Sequence, residues 1–185
     1  TKDYAIQLDS IDDSMFSLAK DWQDFPTYDF VGDDLSFCTA YFGAAKLVET
    51  AGILTKTTNS EDWCHVHFFQ REASKIGTVI HGDVHAANLS RIRETIHQAQ
   101  GVGRPILLVS NGAREDFGLH QEAAMCTLPD APAGYPFMRP LLDYIPGALL
   151  ASYVSALRQE PYFRGGGVWA EEGVGTIVSS QIQIV

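Results

Sequence analysis

The chain has 185 residues, a formal net charge of −10, 45% hydrophobic and 19% charged residues. This length and balance fit one folded domain with a sizeable core and exclude a disordered chain. The acidic surplus argues against nucleic acid or an anionic membrane as the main partner, and no run reads as apolar for long enough to span a bilayer.

Cys38, Cys64 and Cys126 are odd in number and widely spaced, so the expectation is reduced thiols in a cytoplasmic protein. No basic stretch followed by an apolar one reads as a signal peptide.

Taken in chain order, "LDSIDDSMFSLAKDWQDF" predicts a helix with Ser10 or Asp9 as N-cap, Ile11, Met15, Leu18 and Trp22 on one face, and Pro26 as its end. "TYDFVG" reads as a short buried strand closed by Gly32. "SFCTAYFGAAKLVETAG" follows as a long helix in which Ala40, Gly43, Ala44 and Ala45 allow a close neighbour and Gly52 is the C-cap. "ILTKTT" is a second strand. "NSEDWCHVHFF" is a short helix capped by Asn59 or Ser60, with acidic residues in its first turn.

"KIGTVIHG" predicts a third strand, and "NLSRIRETIHQAQG" an amphipathic helix with Leu89, Ile92 and Ile96 inward. "RPILLVSNG" and "AAMCTLP" are further strands. "YIPGALLASYVSALRQ" carries Ile145, Leu149, Leu150, Tyr153, Val154 and Leu157 at helical spacing. The Gly-rich end over 161–185 reads as a segment wrapping on the domain. Three parts are therefore expected: a helical segment over 1–26, a domain over 27–160 and the tail. Short apolar strands alternating with helices predict an α/β fold, a doubly wound sandwich with a mostly parallel sheet and right-handed crossovers.

Residues 81–89, "HGDVHAANL", resemble the catalytic loop of aminoglycoside and choline kinases, in which the Asp is the base and the Asn holds magnesium. Asp83 and Asn88 would take those roles. A kinase also needs a strand lysine, a second metal-binding Asp and two lobes, and the sequence offers none of these. The plainer reading has Gly82 and Asp83 closing a strand and Asn88 capping the next helix. His81, Asp83 and His85, or Cys64, His65 and His67, lack the paired clusters of a strong metal signature, so no metal is expected. No Walker loop is present, and "GGGVW" has no helix after it.

"FVGDDLSFCTAYFGAAKLVETAGI" and "NSEDWCH" resemble the second half of the tandem sugar isomerase (SIS) family. That family includes the isomerase part of glucosamine-6-phosphate synthase and the fructosamine-6-phosphate deglycases. Its pattern is a strand, a Gly-x-Gly turn, a helix with E-G-A-x-K-x-x-E, and then [E/D]-x-x-H-G-P. Read without gaps, Gly32 matches the first turn glycine. Gly43, Ala44, Lys46 and Glu49 match the helix, and Asp62 and His65 the next motif. "YIPGALLASYVSAL" is similar to the closing helix. The order and spacing of these matches make the resemblance, which runs from about Asp29 onward.

The resemblance implies an SIS-type fold, a sugar phosphate or amino-sugar phosphate as ligand, and a homodimer or larger assembly. Glu49 is similar to the carboxylate that moves a proton between C1 and C2, and His65 to the acid–base histidine that often reaches a neighbouring subunit's site. Gly32, Ser36 and Lys46 would contact the ligand. Neither isomerisation nor ketosamine phosphate hydrolysis by a deglycase needs a metal or organic cofactor. A non-catalytic regulatory SIS domain is the further alternative. The plain alternatives are a solvated Glu49, a packing His65 and a Lys46 paired with nearby acids.

There are also departures. Phe42 replaces a helix carboxylate, Val66-His67 replaces Gly-Pro, and Asp34 stands where a second turn glycine is usual. "SSQIQIV" lacks the tail lysine of the synthase. Two aspartates in the turn would repel a phosphate, so the resemblance implies a phosphate cradle from an upstream SIS half or a partner subunit.

Overall fold

The computed structural model describes residues 2–160, and the predicted wrapping tail lies outside them. Five parallel strands form one sheet in the order β2-β1-β3-β4-β5. They are β1 (Thr27–Val31), β2 (Leu54–Thr58), β3 (Ile76–Gly82), β4 (Ile106–Ser110) and β5 (Ala124–Thr127). β1, β3 and β4 are buried almost end to end because both of their faces are covered, with Asp29, Thr78 and His81 as polar residues inside them.

Three helices cover one face: α1 (Lys2–Trp22), α2 (Leu35–Ala51) and α5 (Pro140–Leu157). Tyr28, Phe30, Val79, Leu107 and Val109 meet Met15, Leu47, Leu150 and Val154 there. α3 (Ser60–His65) and α4 (Leu89–Gly101) cover the other face, where Val31, Ile80 and Leu108 meet Trp63, Ile92 and Ile96. The layers are those of a doubly wound α/β sandwich.

α1 begins well before Ser10. The Ser14 hydroxyl donates to the Ser10 carbonyl at 2.7 Å, so Ser10 is inside the helix and not its cap. Ile11, Met15, Ala19 and Trp22 form its buried stripe. α2 ends where expected, with Gly52 left-handed at φ 61°. Asn59 caps α3, its side chain accepting from the Asp62 N–H at 2.7 Å.

α5 starts four residues before Tyr144, at Pro140. A proline in the first turn loses no intrahelical bond, and its φ suits the helix. Contrary to the expectation of no such run, the stretch Pro136–Leu157 matches a bilayer span by length and composition; its helix packs on α1 and α2. Contact between α2 and α5 is close because Gly43 faces Gly147. A Cβ on Gly147 would stand 3.4 Å from the Gly43 Cα. Thr50 donates to the Ala151 carbonyl at 3.2 Å, and Ser155 to the Thr50 carbonyl at 2.9 Å.

On the opposite face, fully buried Asp29 of β1 lies 3.3 Å from the Arg104 guanidinium and accepts from the Trp63 indole at 3.3 Å. Arg104 also donates to the His67 carbonyl at 2.8 Å and to Gln70 at 2.7 Å. This set fastens α3 and the turn after it to the sheet.

After β1 the chain goes out to β2 and then returns past β1 to β3. The connections on either side of β1 and β3 thus diverge. In open parallel sheets, the crevice beyond the carboxyl ends of such a pair is where ligands bind.

Candidate functional site

The turn after β1 builds one wall of that crevice. Gly32 donates its N–H to the Thr58 carbonyl at 3.1 Å. A Cβ there would come within 2.4 Å of the Ser36 carbonyl oxygen, so only glycine fits. Asp33 accepts from the Ser60 N–H at 3.0 Å and from the Ser60 hydroxyl, tying the turn to the start of α3. Asp34 has φ 47° and ψ −119°, a backbone normally left to glycine. The sequence departure at Asp34 is therefore one of side chain only; the turn keeps a glycine-like path.

The loop after β3 builds the facing wall. Asp83 Oδ1 accepts from the His85 N–H and from the Asn111 side-chain amide, each at 2.9 Å. Asn88 stands at the start of α4 but makes no capping bond, contrary to the sequence reading. Its buried Oδ1 has no protein partner.

Between the walls is a cavity of about 170 Å³ lined by Asp33, Asp34, Ser36, His81, Asp83, Asn88 and Arg139, among others. His81 is 1% exposed, and neither of its ring nitrogens has a protein hydrogen-bond partner. Burial, with Arg139 nearby, pushes its pKa down to about 3, so the imidazole is neutral at physiological pH. Arg139 donates through Nε to Asp143 at 2.8 Å, while its Nη2 is buried without a partner. Burial outweighs the Arg139 attraction and lifts Asp143 to about 6. A wider hollow of about 470 Å³ adjoins, sharing Asp83 and Arg139 and adding His85, Asn111 and Asp130. The arrangement offers a neutral imidazole, an amide oxygen and a guanidinium from the floor and carboxylates from the rim, so a polar guest finds donors and acceptors together.

Of the residues predicted from sequence, Ser36 lines the cavity and Gly32 forms the turn beside it. The other three lie elsewhere. Lys46 and Glu49 pair at 2.6 Å on α2, and the Glu49 side chain is 59% exposed. Glu49 is fourteen residues after Leu35. At 1.5 Å per residue that sets it about 20 Å along the helix from the crevice. The His65 side chain is 69% exposed and meets Glu61 at 2.8 Å. Since α2 and α3 cover opposite faces, one chain does not bring Glu49 and His65 together. Among the described residues no group of three His, Cys, Asp or Glu side chains is placed to hold a metal.

His81 and Asn88 stand in the stretch HGDVHAANL, weighed above only for kinase and metal chemistry, and Arg139 belongs to neither reading. Arg139 carries no local signal, because it is fifty-eight residues beyond His81 and only the fold joins them.

No family model and no curated protein matches the sequence. Solved structures do match. One is the C-terminal domain of glucosamine-fructose-6-phosphate aminotransferase from Francisella tularensis, at 18% identity and TM-score 0.72, covering 81% of this chain and 41% of that one. Tagatose-6-phosphate ketose/aldose isomerase from Escherichia coli matches at 11% identity and TM-score 0.63, covering 75% and 38%. The Vibrio vulnificus NanR protein complexed with ManNAc-6P matches at 12% identity and TM-score 0.62, covering 94% and 66%. The chain thus spans about two fifths of the first two proteins. At these identities the likeness establishes the fold, an SIS-type α/β sandwich with a parallel sheet.

Proposed function

With the SIS fold as premise, we propose that the chain is a sugar-phosphate-binding domain whose ligand enters the crevice between β1 and β3. The observation that carries this is the set of buried, unpartnered polar atoms of His81, Asn88 and Arg139 at the switch point of the sheet. Buried polar atoms are nearly always hydrogen-bonded, so such a set at a ligand-binding crevice calls for a polar guest. The NanR structure, which shares this fold, holds ManNAc-6P.

The finer reading is isomerisation. Glu49 carries the proton between C1 and C2, His65 works on the oxygens, and Gly32, Ser36 and Lys46 assist binding. Because Glu49 and His65 stand on opposite faces, this chemistry requires different copies of the chain, or an upstream SIS half, to contribute them to one ligand. A homo-oligomer belongs to the proposal, as does a cytoplasmic setting. A deglycase would use the same pair. Residues 27–160 form the binding domain in this reading.

A second reading, binding without turnover, is favoured by the exposure of Glu49, its pairing with Lys46 and its distance from the crevice.

Proton NMR in D2O with hexose and amino-sugar 6-phosphates separates these. In the isomerase case, solvent deuterium enters C1 or C2. Glu49→Gln and His65→Gln each abolish it, and mixing the two variants restores part of it. Ligand line-broadening without exchange supports the binding domain. Absence of both overturns the proposal.

A further inference from the structure

We propose that the outer edge of β2 is a docking surface and that the chain's own residues 176–185 occupy it as a further parallel strand. The inference is independent of what the crevice holds. In the order β2-β1-β3-β4-β5, β2 has a neighbour on one side only among the described residues. Gly32 donates to the Thr58 carbonyl at 3.1 Å, so Thr58 turns its backbone groups toward β1. Alternation along the strand gives Leu54 and Lys56 the same direction and points the N–H and C=O of Thr55 and Thr57 outward. Such a row is a template for another strand.

An apolar overhang stands beside this edge. Gly43 of α2 lies against Gly147 of α5, and Thr50 bonds to Ala151. At about 100° per residue, Phe37, Tyr41 and Val48 therefore gather on the flank of α2 turned away from α5. That is the β2 side of the sheet, where the Thr55 hydroxyl donates to the Ala44 carbonyl at 3.3 Å. Phe37, Tyr41 and Val48 are exposed, and so is Leu54 at the start of β2, at 66%. The helix flank lacks the strand that it would cover.

Three features of the chain choose the occupant. α5 ends beside the end of α2, where Ser155 donates to the Thr50 carbonyl at 2.9 Å, and β2 begins three residues after Ala51. The chain thus leaves α5 at the corner where β2 starts. The second feature is handedness. α2 and α5 lie on one face, so a strand reached through α5 and set beyond β2 repeats the hand of the β1–α2–β2 crossover. A strand beside β5 would need the opposite hand, which parallel crossovers almost never show. The third is composition. Residues 176–185, TIVSSQIQIV, are rich in β-branched side chains, and Gly173 and Gly175 precede them. On an extended chain Val178, Ile182 and Ile184 share one side, an apolar match for Phe37, Tyr41 and Val48.

Amide hydrogen exchange of the full chain, read by NMR at Thr55 and Thr57, tests this. Both amides are expected to be protected, and the double change Ile182→Pro with Ile184→Pro should speed their exchange about a hundredfold or more, since proline removes a strand donor. Val79 and Leu107 in the centre of the sheet should keep their protection, which shows that the variant is folded. In a Cys38→Ser background, Thr57→Cys paired with Ser180→Cys or with Ile182→Cys should form a disulfide within one chain, read as mobility on a denaturing gel without reductant. Fast exchange at Thr55 and Thr57 in the parent, protection that survives both proline changes, or a disulfide found only between two chains would each overturn the proposal. The last result would assign the edge to a second copy.

Discussion

At Asp34 the backbone adopts φ 47° and ψ −119°, where an L side chain is strained by about 1–3 kcal/mol. Its side chain makes no capping bond to α2 that would offset the strain. Asp34→Gly is therefore expected to raise stability by about 1 kcal/mol after the extra backbone entropy of glycine is counted, read as a higher urea midpoint at unchanged slope. His81 and Asp143 make a second prediction. His81 titrates near 6.5 when unfolded and at about 3 when folded, so the unfolded chain alone takes up that proton below pH 6.5 and stability falls with pH. Asp143 titrates at 3.8 unfolded and about 6 folded, so the native state alone takes up that proton between pH 6 and 4 and stability rises as pH falls. In that window the two oppose each other. His81→Phe should leave the Asp143 slope, with stability gained on acidification by up to about 1.4 kcal/mol per pH unit relative to the parent, and Asp143→Asn should leave the opposite slope. Urea unfolding at pH 4, 5 and 6 reads both signs.

Helices and strands were legible where one physical rule dominated. β1, β3 and β4 show as short, mostly apolar runs without alternation because both faces are covered, and α2 shows its C-cap because Gly52 takes a left-handed turn. Starts were less legible. The polar residues before Ser10 concealed the first turns of α1, and Ser10 and Asp9 looked like caps although they lie inside the helix. The pattern of α5 shows from Tyr144, whereas its first residue is Pro140. The small residues of α2 did signal a close neighbour, and that contact is testable. A Cβ on Gly43 would lie 2.7 Å from the ring of Phe30, itself buried in the core. Gly43→Ala should destabilise by about 1–2 kcal/mol, the overpacking exceeding the helix-propensity gain of about 1 kcal/mol. Gly147→Ala, whose Cβ meets only a 3.4 Å contact, should be near neutral or stabilising. Thermal melts of the two variants should move apart.

For the molecule as a whole, the order of elements was enough to place a parallel sheet between helical layers, and the crevice follows from that sheet's switch point. The floor of the crevice was not legible. His81 and Arg139 meet through β3 and the start of α5, elements whose adjacency no local pattern encodes. The resemblance directed attention to Glu49 and His65, and a motif gives spacing along the chain, whereas the face of the sheet on which each helix lands is a tertiary fact.

The packing of α1 and α2 against α5 also bears on the birth of the chain at the ribosome. Tyr153 of α5 bonds to Asp12 of α1 and packs its ring on Phe16, and Leu150 and Val154 fill the same core as Met15, Phe30 and Leu47. α5 is made about a hundred residues after α2. At roughly 5–20 residues per second, the part of that face which α5 covers therefore waits on the order of 5–20 s after α2 is made. During that interval the core positions that α5 will cover are open to whatever holdase attends the exit tunnel, and the speed of translation between α2 and α5 bears on yield.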